Sequence, residues 1–291
     1  MNGDKVFRVV LTACTSLIAL ITLGIFITLL QGSLPSIEKF GFAFLTTAQW
    51  NPVKVEFGGL QFIVGTLATS VLALAISLPF SLGIAVLLGE YYQQGRFARF
   101  LQISIDLLAS IPSVIYGFWG LTVLVPLVRR FEIAIHVTPY GVGIFTSSLI
   151  LAIMIVPYSS SIATEVIRLV PREMKDASYA LGSTRFEVIK NVTFNYAKSG
   201  IIAGVMLSLG RALGETMAVT MVIGNNYRMP KGIFDPGNTL ASVIASEFTE
   251  AMNPIHLSAM IELALVLFLI TMILNLISRR IIARLGGGRR G

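Results

Sequence analysis

Apolar residues in this chain run in long unbroken stretches, with polar residues gathered in segments between them. Six stretches reach the roughly 20 apolar residues that a bilayer core of about 30 Å demands. They cover 6–30, 60–89, 101–128, 138–164, 199–224 and 257–278, and each predicts a membrane-crossing helix. The first is far longer than the roughly 7–15 residues of a signal-peptide core and lacks a small-x-small cleavage site, so it reads as a retained span.

The segment 165–198 between the fourth and fifth spans has a two-helix pattern. Pro171 suits a first helical turn, where its missing N–H costs nothing. Arg172 to Leu181 then predicts a short helix with Met174, Ala177, Ala180 and Leu181 on one side. Gly182 ends it as a left-handed glycine does. Thr184 and Glu187 have capping-box spacing and start a second helix through Asn195. The expected product is a compact knob against the inner face of the membrane, exposing the small residues Ala177, Ser178 and Ala180. Such a knob fits a partner's groove, and an ordinary interfacial loop has the same pattern.

Two segments fall on the opposite side, 31–59 and 225–256. In the first, Trp50-Asn51-Pro52 reads as an interfacial aromatic followed by a turn. The second holds a Pro- and Gly-bearing stretch, Met229 to Asn238, and then Thr239 to Met252, a short amphipathic helix. Both segments suit either a docking surface or plain connections. Pro79, Pro112, Pro126 and Pro157 interrupt spans, as hinges or as the prolines that membrane helices tolerate. The tail from Gly286 to Gly291 is expected to be disordered.

Composition agrees with this pattern. The chain is 55% apolar and only 13% charged, against about 25% charged in soluble domains. The class is an all-α integral membrane protein, one transmembrane domain over 1–291 with no soluble domain or internal repeat. The single Cys14 excludes an intrachain disulfide, and with only two histidines there is no zinc-ligand cluster. With the N-terminus inside, fifteen Lys and Arg side chains lie at inner ends and six lie outside: Lys39, Lys54, Arg129, Arg130, Arg228 and Lys231. This positive-inside bias places both termini in the cytoplasm. It also accounts for the net charge of +7 without a nucleic-acid partner.

Arg211 and Glu215 are the charges that need a reason. Counted from the inner end of the fifth span, Arg211 lies roughly 18 Å deep. A charge there costs at least about 2.5–3.5 kcal/mol unless it faces protein or water. On a continuous helix Arg211 shares a face with Gly204, and Glu215 shares one with Ser208, along a small-residue stripe that begins at Gly200. Four residues apart, the two can pair. One reading is a structural ion pair. The other is a pathway cation whose planar donors grip an oxyanion, with Glu215 limiting how tightly. Glu262, near the outer end of the sixth span, either pairs with Arg211 or snorkels to water. Asp106 is close enough to the inner surface to be solvated and is assigned no role. No Gly-x-x-x-x-Gly-Lys-Ser/Thr loop occurs, so any ATP hydrolysis belongs to another polypeptide.

The 165–198 segment resembles the EAA loop of ABC importer permeases through Asp176, Ala177, Ser178 and Gly182, with Asp for the family's Glu, Ser for its second Ala, and Thr193-Phe194 in place of Leu-Pro. Four further stretches resemble the phosphate-type permeases of that family: Gly210 to Val219, Ile111 to Leu121, Trp50 to Thr66 and Met260 to Thr271. The likeness runs from about Gln31 to Leu285. It implies a six-span type I importer permease fold and a loop that docks on an ATPase. It implies a homologous second permease subunit, two ATP-binding subunits that hold ATP and Mg, and an extracytoplasmic phosphate-binding protein. This chain itself would hold no cofactor or metal and carry no catalytic residue. The expected cargo is inorganic phosphate. The alternatives are an ABC permease for another oxyanion, such as molybdate or phosphonate, and an ion-coupled carrier or channel.

Overall fold

A computed structural model describes residues 3–251 and 253–286. Gly286, expected to open a disordered tail, instead ends the last helix; the rest of that tail, 287–291, and the predicted end of a helix at Met252 lie outside the described residues. Among the described residues the architecture is helical, with one hairpin of two-residue strands.

Helix α1 (Gly3–Phe40) outlasts its predicted span at both ends, and its first two-thirds stand clear of the body. A short α2 (Ala43–Thr46) leads to β1 (Trp50–Asn51) and β2 (Glu56–Phe57), paired antiparallel with Trp50 opposite Phe57. Helix α3 (Leu60–Val86) closes in a π turn, Leu87–Tyr91. Then come α4 (Arg96–Ser110), α5 (Ser113–Trp119), a π turn (Gly120–Leu124) and α6 (Val125–Ala134). Helix α7 (Ile144–Arg168) is the most enclosed long helix, packed by α3 on one side and later elements on the other. After it come α8 (Arg172–Ala180), α9 (Arg185–Val188) and a π turn, Ile189–Thr193. Next are α10 (Phe194–Leu213), α11 (Met217–Val222), α12 (Leu240–Glu247) with a 3-10 turn, and α13 (Pro254–Gly286).

Five helical stretches among the described residues are long and apolar enough to cross a membrane: Gly3–Phe40, Leu60–Tyr91, Ser113–Ala134, Ile144–Arg168 and Pro254–Leu285. The predicted fifth span, 199–224, is missing from that set because its helix stops at Leu213 and restarts at Met217. The predicted third span, 101–128, is also broken. Pro112 pushes Ile111 into an extended conformation (ψ 126°), the restriction that proline places on the residue before it. Of the four prolines read as breakers, only Pro112 interrupts its helix. Pro79 and Pro157 lie inside continuous helices, and Pro126 opens α6 just after a π turn.

The polar segment folds largely as expected. Helix α8 ends at Ala180, and Gly182 follows with φ +84°, a conformation open to glycine and strained for other residues. The Thr184–Glu187 capping box is formed in both directions. Two details differ. Pro171 is the N-cap and not the first helical residue, and the second helix runs through a π turn directly into α10. Met174, Ala177, Ala180 and Leu181 form no packed underside, because all four are exposed. The half-buried side carries Lys175 and Ser178 instead.

Across the other end, the connections form a packed cap. Phe44, Trp50, Phe57, Phe62, Leu240 and Met260 share one apolar core. Trp50 is therefore a core residue, 8% exposed, and not an interfacial anchor. Thr239 and Ser242 form the capping box that starts α12, one residue inside the predicted start. That helix is buried over most of its surface, so its amphipathic pattern faces protein with little polar side left over.

Candidate functional site

Two broken helices meet beside Arg211. The inner halves, α4 and α10, both flank α7, while the outer halves, α5 and α11, pack on each other. At Gly117 of α5 the backbone comes so close that a Cβ would stand 3.0 Å from Ala218 Cα and 2.7 Å from Met221 Sδ. Tyr116 lies in the same apolar cluster as Ala218 and Val222. Breaks in membrane helices expose backbone groups where a pathway can use them, and among known transporters they mark binding sites.

The small-residue stripe holds α10 against α7 as its spacing implies. A Cβ on Gly200 would meet Val166, and one on Gly204 would meet Ile162. One turn beyond the buried Ser208, Arg211 leans over Tyr158 of α7, its guanidinium carbon 4.4 Å from the ring centroid. Tyr158 donates from its hydroxyl to the Ala109 carbonyl at 3.4 Å, and Tyr116 donates to the Leu108 carbonyl at 2.7 Å. These two phenols cap the last carbonyls of α4 at the break, groups that a helix end leaves without partners. Tyr116 also lies within electrostatic reach of Arg211.

The expected pairing of Arg211 with Glu215 is not formed. Among the described residues the only contacts between a basic and an acidic side chain are Lys175–Glu90 and His256–Glu247, and Arg211 has no hydrogen-bond acceptor. The reason is the helix break. Gly214 ends α10, and Glu215 turns away so that its Oε1 accepts from the Ala218 N–H at 3.4 Å. Pairing at four-residue spacing requires a continuous helix, which is absent here. Arg211 is exposed on the single chain and Glu215 half-exposed. A guanidinium on an aromatic face keeps its in-plane N–H donors free, so the arrangement can offer several of them to an oxyanion.

Glu262 does not reach Arg211 either. It is 5% exposed on α13 against α1, where Ser258 ties the two helices by accepting from the Ser36 N–H and donating to the Gly32 carbonyl. Glu262 Oε2 has no partner there. Asp106 is exposed and accepts from Gln102 at 3.1 Å.

On the knob, Asp176, Ala177 and Gly182 are exposed, and Ser178 is half-buried with its hydroxyl donating to Ser183 at 3.0 Å. Leu181 and Phe186 are 89% and 69% exposed, an apolar edge that nothing among the described residues covers. Glu187 accepts from the Thr184 N–H and hydroxyl at 2.7 and 2.8 Å. Those bonds hold its carboxyl below the usual glutamate range.

Sequence reasoning passed over one further cluster, buried in the outer cap. Glu247 Oε2 accepts from Trp50 Nε1 at 2.9 Å and lies 3.0 Å from His256 Nε2. The His256 ring stacks on Phe57 with centroids 5.0 Å apart. Burial, then a hydrogen bond and the charge of Glu247, push the Tyr227 phenol well above its ordinary range. A single carboxylate thus ties the hairpin, the loop after α11, α12 and the start of α13.

Comparison with known proteins fits this geometry. Residues 79–287 match the family described as binding-protein-dependent transport system inner membrane component. The phosphate transport system permease protein PstC of Mesorhizobium japonicum is 40% identical, over 97% of this chain and 90% of that protein. The protein of the same description from Pasteurella multocida is 43% identical, over 91% and 87% respectively. A chain of a bacterial alginate ABC transporter, solved with an alginate-bound periplasmic protein, superposes with a TM-score of 0.62. It is 20% identical and covers 96% of this chain and 97% of its own. A chain of the inward-facing MetNI methionine ABC transporter gives 0.56 at 15% identity, over 77% and 93%. The class these likenesses define is a multi-pass helical permease of the bacterial inner membrane.

The chain belongs to the binding-protein-dependent inner membrane components, the permeases of ABC importers, and within them to the phosphate transport system permeases known as PstC.

Proposed function

We propose that this chain is one of two permease subunits of an ATP-driven importer of inorganic phosphate. In this reading it crosses the membrane six times, with α4–α6 and α10–α11 serving as the two broken crossings and both termini in the cytoplasm. A homologous permease completes the pathway. Two ATP-binding subunits, which hold ATP and Mg, engage the exposed edge of the knob around Asp176, Ala177, Ser178 and Gly182. An extracytoplasmic phosphate-binding protein delivers the anion to the outer cap, and this chain is non-catalytic. Charge supports the orientation, since fifteen basic residues lie at the inner ends.

The observation that carries the cargo assignment is Arg211, held by an aromatic face with its donors unpaired, beside two helix breaks. Phosphate has tetrahedral oxygens that accept several N–H donors from one guanidinium. Glu215, four residues on and unpaired with Arg211, lines the same break and sets an acidic limit on anion residence. Glu262 serves the α1–α13 seam.

The test is uptake of radiolabelled phosphate into vesicles containing the full complex. Uptake should require ATP and the binding protein, and unlabelled phosphate should compete with it better than molybdate or phosphonate. Uptake by the isolated chain without ATP would establish a carrier or channel instead.

A further inference from the structure

Glu90 stands at the last turn of α3, where the helix dipole disfavours a carboxylate. It is nevertheless 9% exposed at its side chain, and three elements converge on it. Lys175 of α8 donates from Nζ to Glu90 Oε1 at 2.5 Å, and Thr193 donates to the same oxygen at 2.9 Å. Arg185 of α9 donates to the Glu90 carbonyl at 2.7 Å and lays its guanidinium 3.8 Å from the Tyr91 ring centroid. Arg168, at the end of α7, donates to the Leu88 carbonyl at 3.2 Å. The Glu90–Lys175 pair is largely desolvated, so removing either charge leaves the other in a poor environment.

The backbone on both sides of this junction is unusual. Glu90 lies in the π turn that ends α3, and Thr193 ends the π turn that opens α10. Such turns carry one extra residue per loop of helix and tend to occur at functional positions. Thr193 and Arg211 are joined by helix, 18 residues or about 27 Å apart along its axis. On the other side, α3 is tied to α7 by the 2.6 Å contact between Ser81 and Ser159 hydroxyls, next to Tyr158 under Arg211. The knob is therefore fastened to the end of α3, which polar bonds tie in turn to α10 and α7, the helices that frame Arg211.

We propose that Glu90 is the positioning residue that couples the cytoplasmic knob to the pathway. Through Lys175 it makes α8 move as one piece with the end of α3, and through Thr193 it carries the same displacement into α10. The inference rests on the reading of the knob as the ATPase dock. It adds the joint through which force leaves the knob. Exposed residues of the knob make contact with the partner, and the half-buried Lys175–Glu90–Thr193 chain transmits the displacement.

The experiment measures phosphate uptake and ATP hydrolysis together in vesicles holding the full complex, for wild type, E90Q, K175Q and the swap E90K/K175E. Wild type must first show ATP-dependent uptake, and its failure would count against the functional reading, separately from this one. Given that, the number of phosphate ions moved per ATP should fall about tenfold in E90Q, about threefold in K175Q, and recover in the swap above both single variants. A ratio unchanged in both single variants overturns the proposal. So does a parallel loss of hydrolysis and uptake, or failure of the single variants to assemble, because a purely structural pair predicts those outcomes.

Discussion

Replacing Tyr158 tests whether an aromatic face, in place of a carboxylate, holds Arg211 ready for an anion. The guanidinium carbon lies 4.4 Å from the ring centroid, within the range of a cation–π contact. At a partly desolvated site such a contact is worth about 1–2 kcal/mol, or about 5–30-fold in an equilibrium. Tyr158→Leu keeps much of the bulk and removes the face, so kcat/KM for phosphate uptake should drop by about that factor. Tyr158→Phe keeps the face and loses only the 3.4 Å bond to Ala109, which is near the outer limit for a hydrogen bond. It should stay within about fivefold of wild type. Initial uptake rates in vesicles over a range of phosphate concentrations give the comparison, with assembly checked by size-exclusion chromatography. If the Phe variant falls as far as the Leu variant, the hydroxyl tie to α4 matters and the ring does not. Wild-type uptake in the Leu variant would refute any role for the face.

Further outcomes follow from the same geometry. Gly182→Val should strain the knob at φ +84° by about 1–2 kcal/mol while meeting no neighbour, so co-purification of the ATP-binding subunit should fall while Tm drops by only a few degrees. Glu247→Ala removes the acceptor of Trp50 and the partner of His256, and should destabilise the outer cap by about 3 kcal/mol or more, read as a lower Tm in detergent. Glu247→Gln should cost less. The Glu187 carboxyl is held low in the folded state, so its cap is intact above the ordinary glutamate value of about 4.3 and is lost as pH falls through the lower folded value. Amide exchange in α9, corrected for intrinsic rate, should therefore stay protected from about pH 7 down to about pH 5 and lose protection only in stronger acid.

Local chemistry was legible in the sequence wherever it depends on neighbours along the chain. Gly182 and the Thr184–Glu187 box act over four residues, and both form as their spacing implies. The apolar stretches likewise located the long helices. What the spacing does not carry is helix continuity. No residue pattern announces the three π turns, and the break at Gly214 follows α10 without a proline. The assumed continuity produced the Arg211–Glu215 pair that the fold does not make. Ile111-Pro112 did contain a signal, because proline restricts the residue before it, but four prolines looked alike and only one broke its helix.

Distance along the chain hid the rest. Trp50 and Glu247 are 197 residues apart, and Glu90 and Lys175 are 85 apart, so neither contact lies within reach of a periodicity. Glu90 still left a trace, an acid in the last turn of an apolar span, against the helix dipole. Tyr158 left none, because its ring meets Arg211 only through the packing of α7 on α10.

The most direct test of the pathway assignment is phosphate uptake by the complex carrying Arg211→Gln. Gln keeps hydrogen-bonding capacity and loses the charge, and the position is exposed on the single chain. Uptake should fall by at least about a hundredfold while all subunits still co-purify, since a charged bidentate contact is worth about 3 kcal/mol or more at a desolvated site. Uptake within a few fold of wild type, or a complex that no longer assembles, would contradict the assignment of Arg211 to the anion's route.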